Sequence, residues 1–224
     1  HNIMVNDHEA VRPTGLARTY PNLVGNESAM GTEYQTMTPA HVTILPFTRL
    51  QGGPMDFTPG IFEMNLSKVS PNNTEHKRAT VANQLALYVT MYSPLQMAAD
   101  LPENYARKMD AFKFIKDVPV DWSESRYLDA EPGEFIIAAR REKGKQNWFV
   151  GGVTNEQARD YNLNLDFLTP GKTYTATIYA DAPDAHYDTN PAAYRITTRQ
   201  VTSADTLHMY MAPGGGFAVS IIAE

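Results

Sequence analysis

The spacing of apolar residues changes once along the chain, near Val118. Before that point, Ala82, Leu85, Ala86, Val89 and Tyr92 follow the i, i+3, i+4, i+7 rule of one helical face, which predicts a helix over 79–92. Tyr105, Met109 and Phe112 repeat the spacing in a shorter helix, with Pro102 beside its start. The runs NIMV (2–5) and VTILPF (42–47) are short, apolar and bounded by polar residues, which predicts strands buried on both faces, as in parallel sheets. Strand, irregular loop, strand and then helix is an α/β order.

After Val118 the period becomes two. Tyr161, Leu163, Leu165 and Phe167 alternate with polar residues, as do Tyr174, Ala176 and Ile178, then Leu207, Met209 and Met211, then Phe217, Val219 and Ile221. The turn sequences EPGE, EKGKQ, TPGKT and PGGGF punctuate this half. With EFIIAARR and NWFVGGV added, seven or eight short strands and no helix are expected, making an antiparallel β-sandwich or barrel from roughly residue 119 to 224. DVPVDWSES is the expected linker, so the domains are read as 1–117 and 118–224.

Composition narrows the function classes. A formal charge of −6, from 19 basic against 25 acidic residues, gives no electrostatic footprint for nucleic acid. No window approaches the roughly 20 apolar residues of a membrane span. The chain starts at His1, and HNIMVNDHE has no basic segment followed by a long apolar run; the start is read as cut, either by processing or from a longer chain. Zero cysteines exclude disulfides, thiolate metal sites and cysteine nucleophiles, and fit cytoplasm or bacterial periplasm alike; the periplasm is the expected location.

The candidate chemistry lies in DHEAVRPTGLARTYPNLVGNESAMGTEY, residues 7–34, which places Glu9, Glu27 and Glu33 within 25 positions of one another. A loop Glu is ordinarily a solvated surface residue. Glu9, however, comes just after the expected strand 3–5, at the strand end where α/β enzymes put their chemistry. Glu27 and Glu33 lie in a loop of some 30 residues, a length that in compact domains is usually functional or disordered. Tyr20, Pro21, Leu23, Met30 and Tyr34 make it too apolar for easy disorder. His8, beside Glu9, has an ordinary reading as a structural histidine. GNES and PGGGF lack the Lys-Ser/Thr ending and following helix of a phosphate loop, and neither HExxH nor GxSxG occurs. Trp122, Trp148, Tyr161, Tyr174, Tyr179 and Tyr187 could form a sugar platform, but core filling is the expected role of most of them.

Three stretches together, HEAVRPTGLARTYPNLVGNESAMGTEY, ILPFTRLQGGPMDFTPGIF and QLALYVTMYSPLQMAAD, closely resemble glycoside hydrolase family 97, the family of Bacteroides-type α-glucosidases and α-galactosidases. DWSESRYLDAEPGEFIIAARR, WFVGGVT, YTATIYADAPDAHY and PGGGFA resemble that family's C-terminal β domain. The resemblance implies that residues 1–117 are the closing part of a catalytic (β/α)8 TIM barrel and that the rest is the C-terminal β-sandwich. It also implies a branch: retaining members carry Gly after the histidine matching His8, and inverting members carry Glu, as at Glu9 here. Carried over, Glu9 matches the general base, Glu33 the general acid and Glu27 a calcium ligand, with Glu9 and Glu33 also touching that ion and His8 binding substrate. A second base carboxylate and a further calcium ligand lie upstream in the family.

Inverting hydrolysis needs a protonated carboxyl and a carboxylate about 6.5–9.5 Å apart, with room for water. Calcium takes about six to eight oxygen ligands, which suits crowded Glu side chains. The function that the resemblance implies is a calcium-dependent, inverting α-glucosidase acting on malto-oligosaccharides and partnered by the upstream part of its own barrel. The alternatives are an α-galactosidase of the same family and a non-catalytic carbohydrate-binding or interaction fragment.

Overall fold

The computed structural model describes residues 3–34 and 36–224. The protein is mostly β-sheet, with few helices and a C-terminal β-sandwich. The N-terminal half opens with β1 (Val5–Asp7), a single helical turn α1 (Leu16–Thr19) and β2 (Leu23–Asn26). β1 and β2 run parallel, pairing Val5 with Leu23 and Asp7 with Asn26. Asn26 in turn bridges Met55 in the parallel sense, so a third extended segment continues the order.

VTILPF is helical, which corrects the expectation of a strand. It forms α2 (His41–Ile44) and a 3₁₀ turn over Leu45–Phe47. Its apolar side chains divide, with Val42 and Leu45 buried and Ile44 exposed. That is a helical division of faces, and Pro46 could not donate to a central strand ladder. NIMV also departs from expectation: Ile3, Met4 and Val5 are exposed, and Asn2 lies outside the described residues.

The long helix α3 runs from Val81 to Thr90, shorter at both ends than the 79–92 expected. It starts where the Thr80 side chain accepts from the Asn83 amide at 3.1 Å, satisfying one free amide of the first turn. Every residue of α3 is buried, beyond the single apolar face that the spacing predicts. Its polar members are satisfied inside: Gln84 Oε1 accepts from the amides of Gly60 and Ile61 at 3.0 and 3.1 Å. The shorter helix expected around Tyr105 resolves into two, α4 (Pro102–Ala106) and α5 (Met109–Asp117).

The remaining eight strands are β3 (Trp122–Glu131), β4 (Phe135–Glu142), β5 (Trp148–Thr154), β6 (Arg159–Asn164), β7 (Tyr174–Asp181), β8 (Tyr194–Val201), β9 (Thr206–Met211) and β10 (Gly216–Ala223). Six of them form one antiparallel sheet in the order β3-β4-β5-β10-β7-β8, and β6 pairs with β9 to cover one face. Between the two layers lie Ile137, Trp148, Val150, Leu163, Leu165, Tyr174, Met209 and Phe217. Trp148, Tyr174 and Tyr179 are almost fully buried, the core role expected for them. Trp122 and Ser123–Ser125, read as linker, belong to β3.

The other face of the six-stranded sheet carries α3 and α5. Phe114, Leu85 and Val89 pack there on Phe149, Tyr179 and Ala218, and each such buried side chain contributes about 1.5–3 kcal/mol. Coverage on both faces explains why β5 is buried along its whole length. It also explains Gly151. A Cβ there would stand 2.6 Å from the Ala86 carbonyl oxygen and 2.9 Å from Val89 Cβ, so glycine sets how closely α3 can lie on the sheet.

Candidate functional site

The two parallel strands and the third segment end together, and polar residues lie just beyond each end. β1 leads into His8 and Glu9, β2 into Glu27 and Ser28, and Met55 into Asp56. This is the carboxyl edge of parallel strands, where backbone amides and side chains from separate elements converge.

Glu27 is the connector. It is buried, its backbone amide donates to the Asp7 carbonyl at 2.9 Å, and its Oε2 accepts from the Glu9 amide at 3.0 Å. His8 Nδ1 lies 3.7 Å from the same oxygen. Arg49 fixes the end of β2 through its backbone, donating to the carbonyls of Asn26 (2.6 Å), Glu27 (3.2 Å) and Gly53 (3.1 Å). Partial burial lowers the Arg49 pKa from its ordinary value.

Glu9 is exposed and lines an open cleft with Glu27, Ser28, Met30 and Tyr34. Glu33 is also exposed and takes a different partner: the Thr58 hydroxyl donates to its Oε2. The loop that carries Glu33 is pinned by Lys77, whose buried Nζ donates to the Glu33 carbonyl and sits 3.2 Å from Glu75 Oε2. Gly31 lets this loop lie against residues 57–58, since a Cβ there would stand 2.7 Å from the Phe57 carbonyl oxygen. His8, Glu9 and Glu27 are thus brought together, while Glu33 stands on the neighbouring wall.

Glu33 is still close enough to act on His8. The His8 pKa is raised, first by its hydrogen bond to Asp56 against the opposing effect of burial, and further by the charges of Asp56, Glu27 and Glu33. Asp56 is a residue that sequence reasoning missed as a site member. It is 2% exposed, and its Oδ2 lies 2.5 Å from His8 Nε2 and 2.7 Å from Asn6 Nδ2. PMDFT was legible only as part of a family stretch, because nothing in its spacing ties it to residues 48 positions earlier.

The left-handed backbone positions mark the same place. Glu9 (φ 54°), Ser28 (φ 45°) and Thr58 (φ 58°) are the non-glycine residues with positive φ among those described, and all three border this site. Such conformations cost about 1–3 kcal/mol each and concentrate at functional sites.

Three carboxylates without a thiolate are the right donors for a hard cation. Their arrangement does not complete a calcium site: among the described residues no three of His, Cys, Asp or Glu converge closely enough to hold a metal ion. Nor, among them, is any helix long and apolar enough to cross a membrane.

Comparison with known proteins identifies the family. Residues 1–29 match the family model described as "Glycoside hydrolase 97", and residues 121–222 match "Glycosyl-hydrolase 97 C-terminal, oligomerisation". Together the two models cover more than half of the chain. A retaining alpha-galactosidase of Bacteroides thetaiotaomicron is 37% identical over 99% of this chain and 34% of its own length. A probable retaining alpha-galactosidase of Streptomyces bingchenggensis is 34% identical over 97% of this chain and 31% of its own. The solved structures of a family 97 enzyme from Pseudoalteromonas sp. strain K8, in complex with acarbose and, as a Glu-to-Gln variant, with panose, superpose with a TM-score of 0.93 at 45% identity, covering 99% of this chain and 35% of theirs. The chain spans about a third of the length of the curated relatives it matches. It belongs to glycoside hydrolase family 97.

Proposed function

We propose that this chain is the C-terminal third of an inverting, exo-acting α-glucosidase of malto-oligosaccharides, with residues 3–117 completing a (β/α)8 barrel begun upstream. The observation that carries the reading is Glu9, a carboxylate beside His8 at the carboxyl end of β1, where the resemblance gives retaining relatives a glycine. The Pseudoalteromonas complexes support the sugar class, since panose is built of α-linked glucose.

In this reading Glu33 is the general acid. It gives its proton to the glycosidic oxygen as the bond to the anomeric carbon breaks. Glu9 takes a proton from water as that water attacks the opposite face, so inversion occurs in one displacement with no covalent intermediate. Glu27 holds the Glu9 amide, and His8 binds a sugar hydroxyl from the same wall. In the complete protein we assign calcium to Glu9, Glu27 and Glu33 with ligands from outside these residues; its chemistry would be to offset their negative charge. The steps above use the carboxylates alone. Removing the ion with a chelator should abolish activity of the complete protein, and calcium should restore it.

A second reading is favoured by the names of the relatives at 37% and 34% identity: α-galactosidase with retention. One experiment separates the two. Proton NMR of the complete protein with α-glucosides and α-galactosides, read before mutarotation, should show β-glucose first. α-Galactose as the first product would replace this reading with the second, and no hydrolysis of either sugar would leave a carbohydrate-binding module.

A further inference from the structure

We propose that Asp56 is the positioning residue of His8, fixing its tautomer and turning Nδ1 toward the Glu9–Glu27 cleft. The inference rests on the glycosidase reading only where it concerns sugar binding. The contact itself stands on geometry.

At 2.5 Å, His8 Nε2 and Asp56 Oδ2 can face each other only with a proton between them, because two lone pairs at that distance would repel. Asn6 Nδ2 carries only hydrogens and donates to the same Oδ2 at 2.7 Å. The 3.2 Å between Asn6 Nδ2 and His8 Nε2 is therefore the spacing of two donors on one acceptor. With Nε2 committed to Asp56, the ring presents Nδ1, 3.7 Å from Glu27 Oε2, to the cleft. A carboxylate that orients a histidine through its far nitrogen is a recurrent device for fixing the tautomer and aim of the near one.

Asp56 is suited to the task by rigidity. Its neighbours Met55 and Phe57 are each 1% exposed, and the segment is tied on both sides: Met55 N donates to the Tyr92 carbonyl at 3.4 Å and Thr32 N to the Phe57 carbonyl at 3.2 Å. A purely structural acid at so buried a place would have both oxygens satisfied. Here Oδ1 has no partner among the described residues, nor does the Asn6 side-chain oxygen. The arrangement serves the imidazole at the expense of local satisfaction.

The test has two arms. In the complete protein, long-range proton–nitrogen correlation of the His8 imidazole should show a protonated Nε2 with a downfield, hydrogen-bonded proton. Asp56→Asn should shift or remove that signal, and Glu9→Gln should leave it. A wild-type His8 protonated at Nδ1 alone overturns the proposal, and that result needs no variant to fold. In the complete protein, Asp56→Asn should raise KM for an α-glucoside by about tenfold with kcat within about twofold, the size of one hydrogen bond held in register. The same change in a His8→Ala background should add almost nothing, since both act through one contact. Additive losses in the double variant would make Asp56 merely structural and overturn the proposal. If the imidazole signal behaves as expected while no α-glycoside is cleaved, the positioning role stands and the glycosidase reading falls.

Discussion

The two halves of the molecule both bend their backbone into left-handed conformations, but they do so with different residues. In the sandwich, every such position is a glycine: Gly133, Gly144, Gly171 and Gly214. The first half has Gly15, Gly53 and Gly60 there too, and adds Glu9, Ser28 and Thr58. Glycine adopts positive φ without a Cβ penalty, so the sandwich turns without strain. The site keeps side chains where glycine would be more comfortable. Holding non-glycine residues there is expected to cost about 1–3 kcal/mol at each position, and such conformations persist only where the surrounding structure over-determines them.

The sharpest way to test that contrast is through activity. On the proposed α-glucosidase reading, Glu33→Gln in the complete protein should slow cleavage of poorly activated α-glucosides by about a thousandfold, the middle of the range for a general acid. Substrates with good leaving groups should be largely spared, because their departing oxygen needs no proton. Glu9→Gln should damage both classes. Equal losses for Glu33→Gln on the two classes, read as kcat/KM, would remove Glu33 from the acid role.

On the sandwich side, the next effect concerns packing. Gly151→Val would drive a branched side chain into the Ala86 carbonyl and Val89. Overpacking ordinarily costs about 1–3 kcal/mol, and here backbone blocks the usual relief, so a loss above about 3 kcal/mol is expected. Because α3 is buried by sheet and loops alike, helical and sheet signals should melt together in chemical denaturation. Separate transitions would show that the two halves are not one cooperative unit.

How much of this was legible in the sequence divides along the same line. Strands β4, β5, β6, β7, β9 and β10 announce themselves because one face or both are buried, so alternation or continuous apolarity survives in the residues. β3 and β8 carry mostly exposed residues at the two edges of the six-stranded sheet. Polar and charged side chains such as Glu124, Arg126, Arg195 and Arg199 guard the edges against further pairing and erase the pattern. At the site, Glu9 and Glu27 could be named from residues and resemblance, whereas Asp56 could not. Its role depends on a parallel bridge between Asn26 and Met55 that no local period encodes.

A further effect is set by Asp181, buried at the end of β7. Its Oδ2 accepts from the amides of Ala212 and Gly216 at 2.9 and 2.8 Å, which ties the PGGG turn to the sheet. Burial nevertheless pushes its pKa up to about 7 from an ordinary 3.8, outweighing those donors. The folded state therefore holds this proton at pH values where the unfolded chain has released it. Stability should fall as pH rises from about 4 to 7 and level off above, by an amount on the order of 4 kcal/mol for a fully expressed shift. Asp181→Asn keeps an oxygen for both amides and should flatten that slope in denaturation at a series of pH values. An unchanged slope would assign the pH dependence to other groups.

The smallest effect returns to the backbone contrast and isolates it. Glu9→Ala and Glu9→Gly both remove the carboxylate, its charge and its place beside Glu27. Only glycine relieves the φ of 54°. The glycine variant should therefore be more stable than the alanine variant by about 1 kcal/mol, reversing the order expected in a helix or strand interior. Gly144 supplies the mirror experiment in the sandwich. Its φ is 77° and nothing lies within 4 Å of a Cβ built there, so Gly144→Ala tests conformation with no packing change. That substitution should cost about 1 kcal/mol, a shift of about 2–4 °C in Tm for a chain of this size. If the two variants at position 9 are equally stable while Gly144→Ala loses its full kcal/mol, Glu9 is not strained. Its left-handed backbone would then be held at no cost, and the cost of such backbone at the site would have to be sought at Ser28 and Thr58 alone.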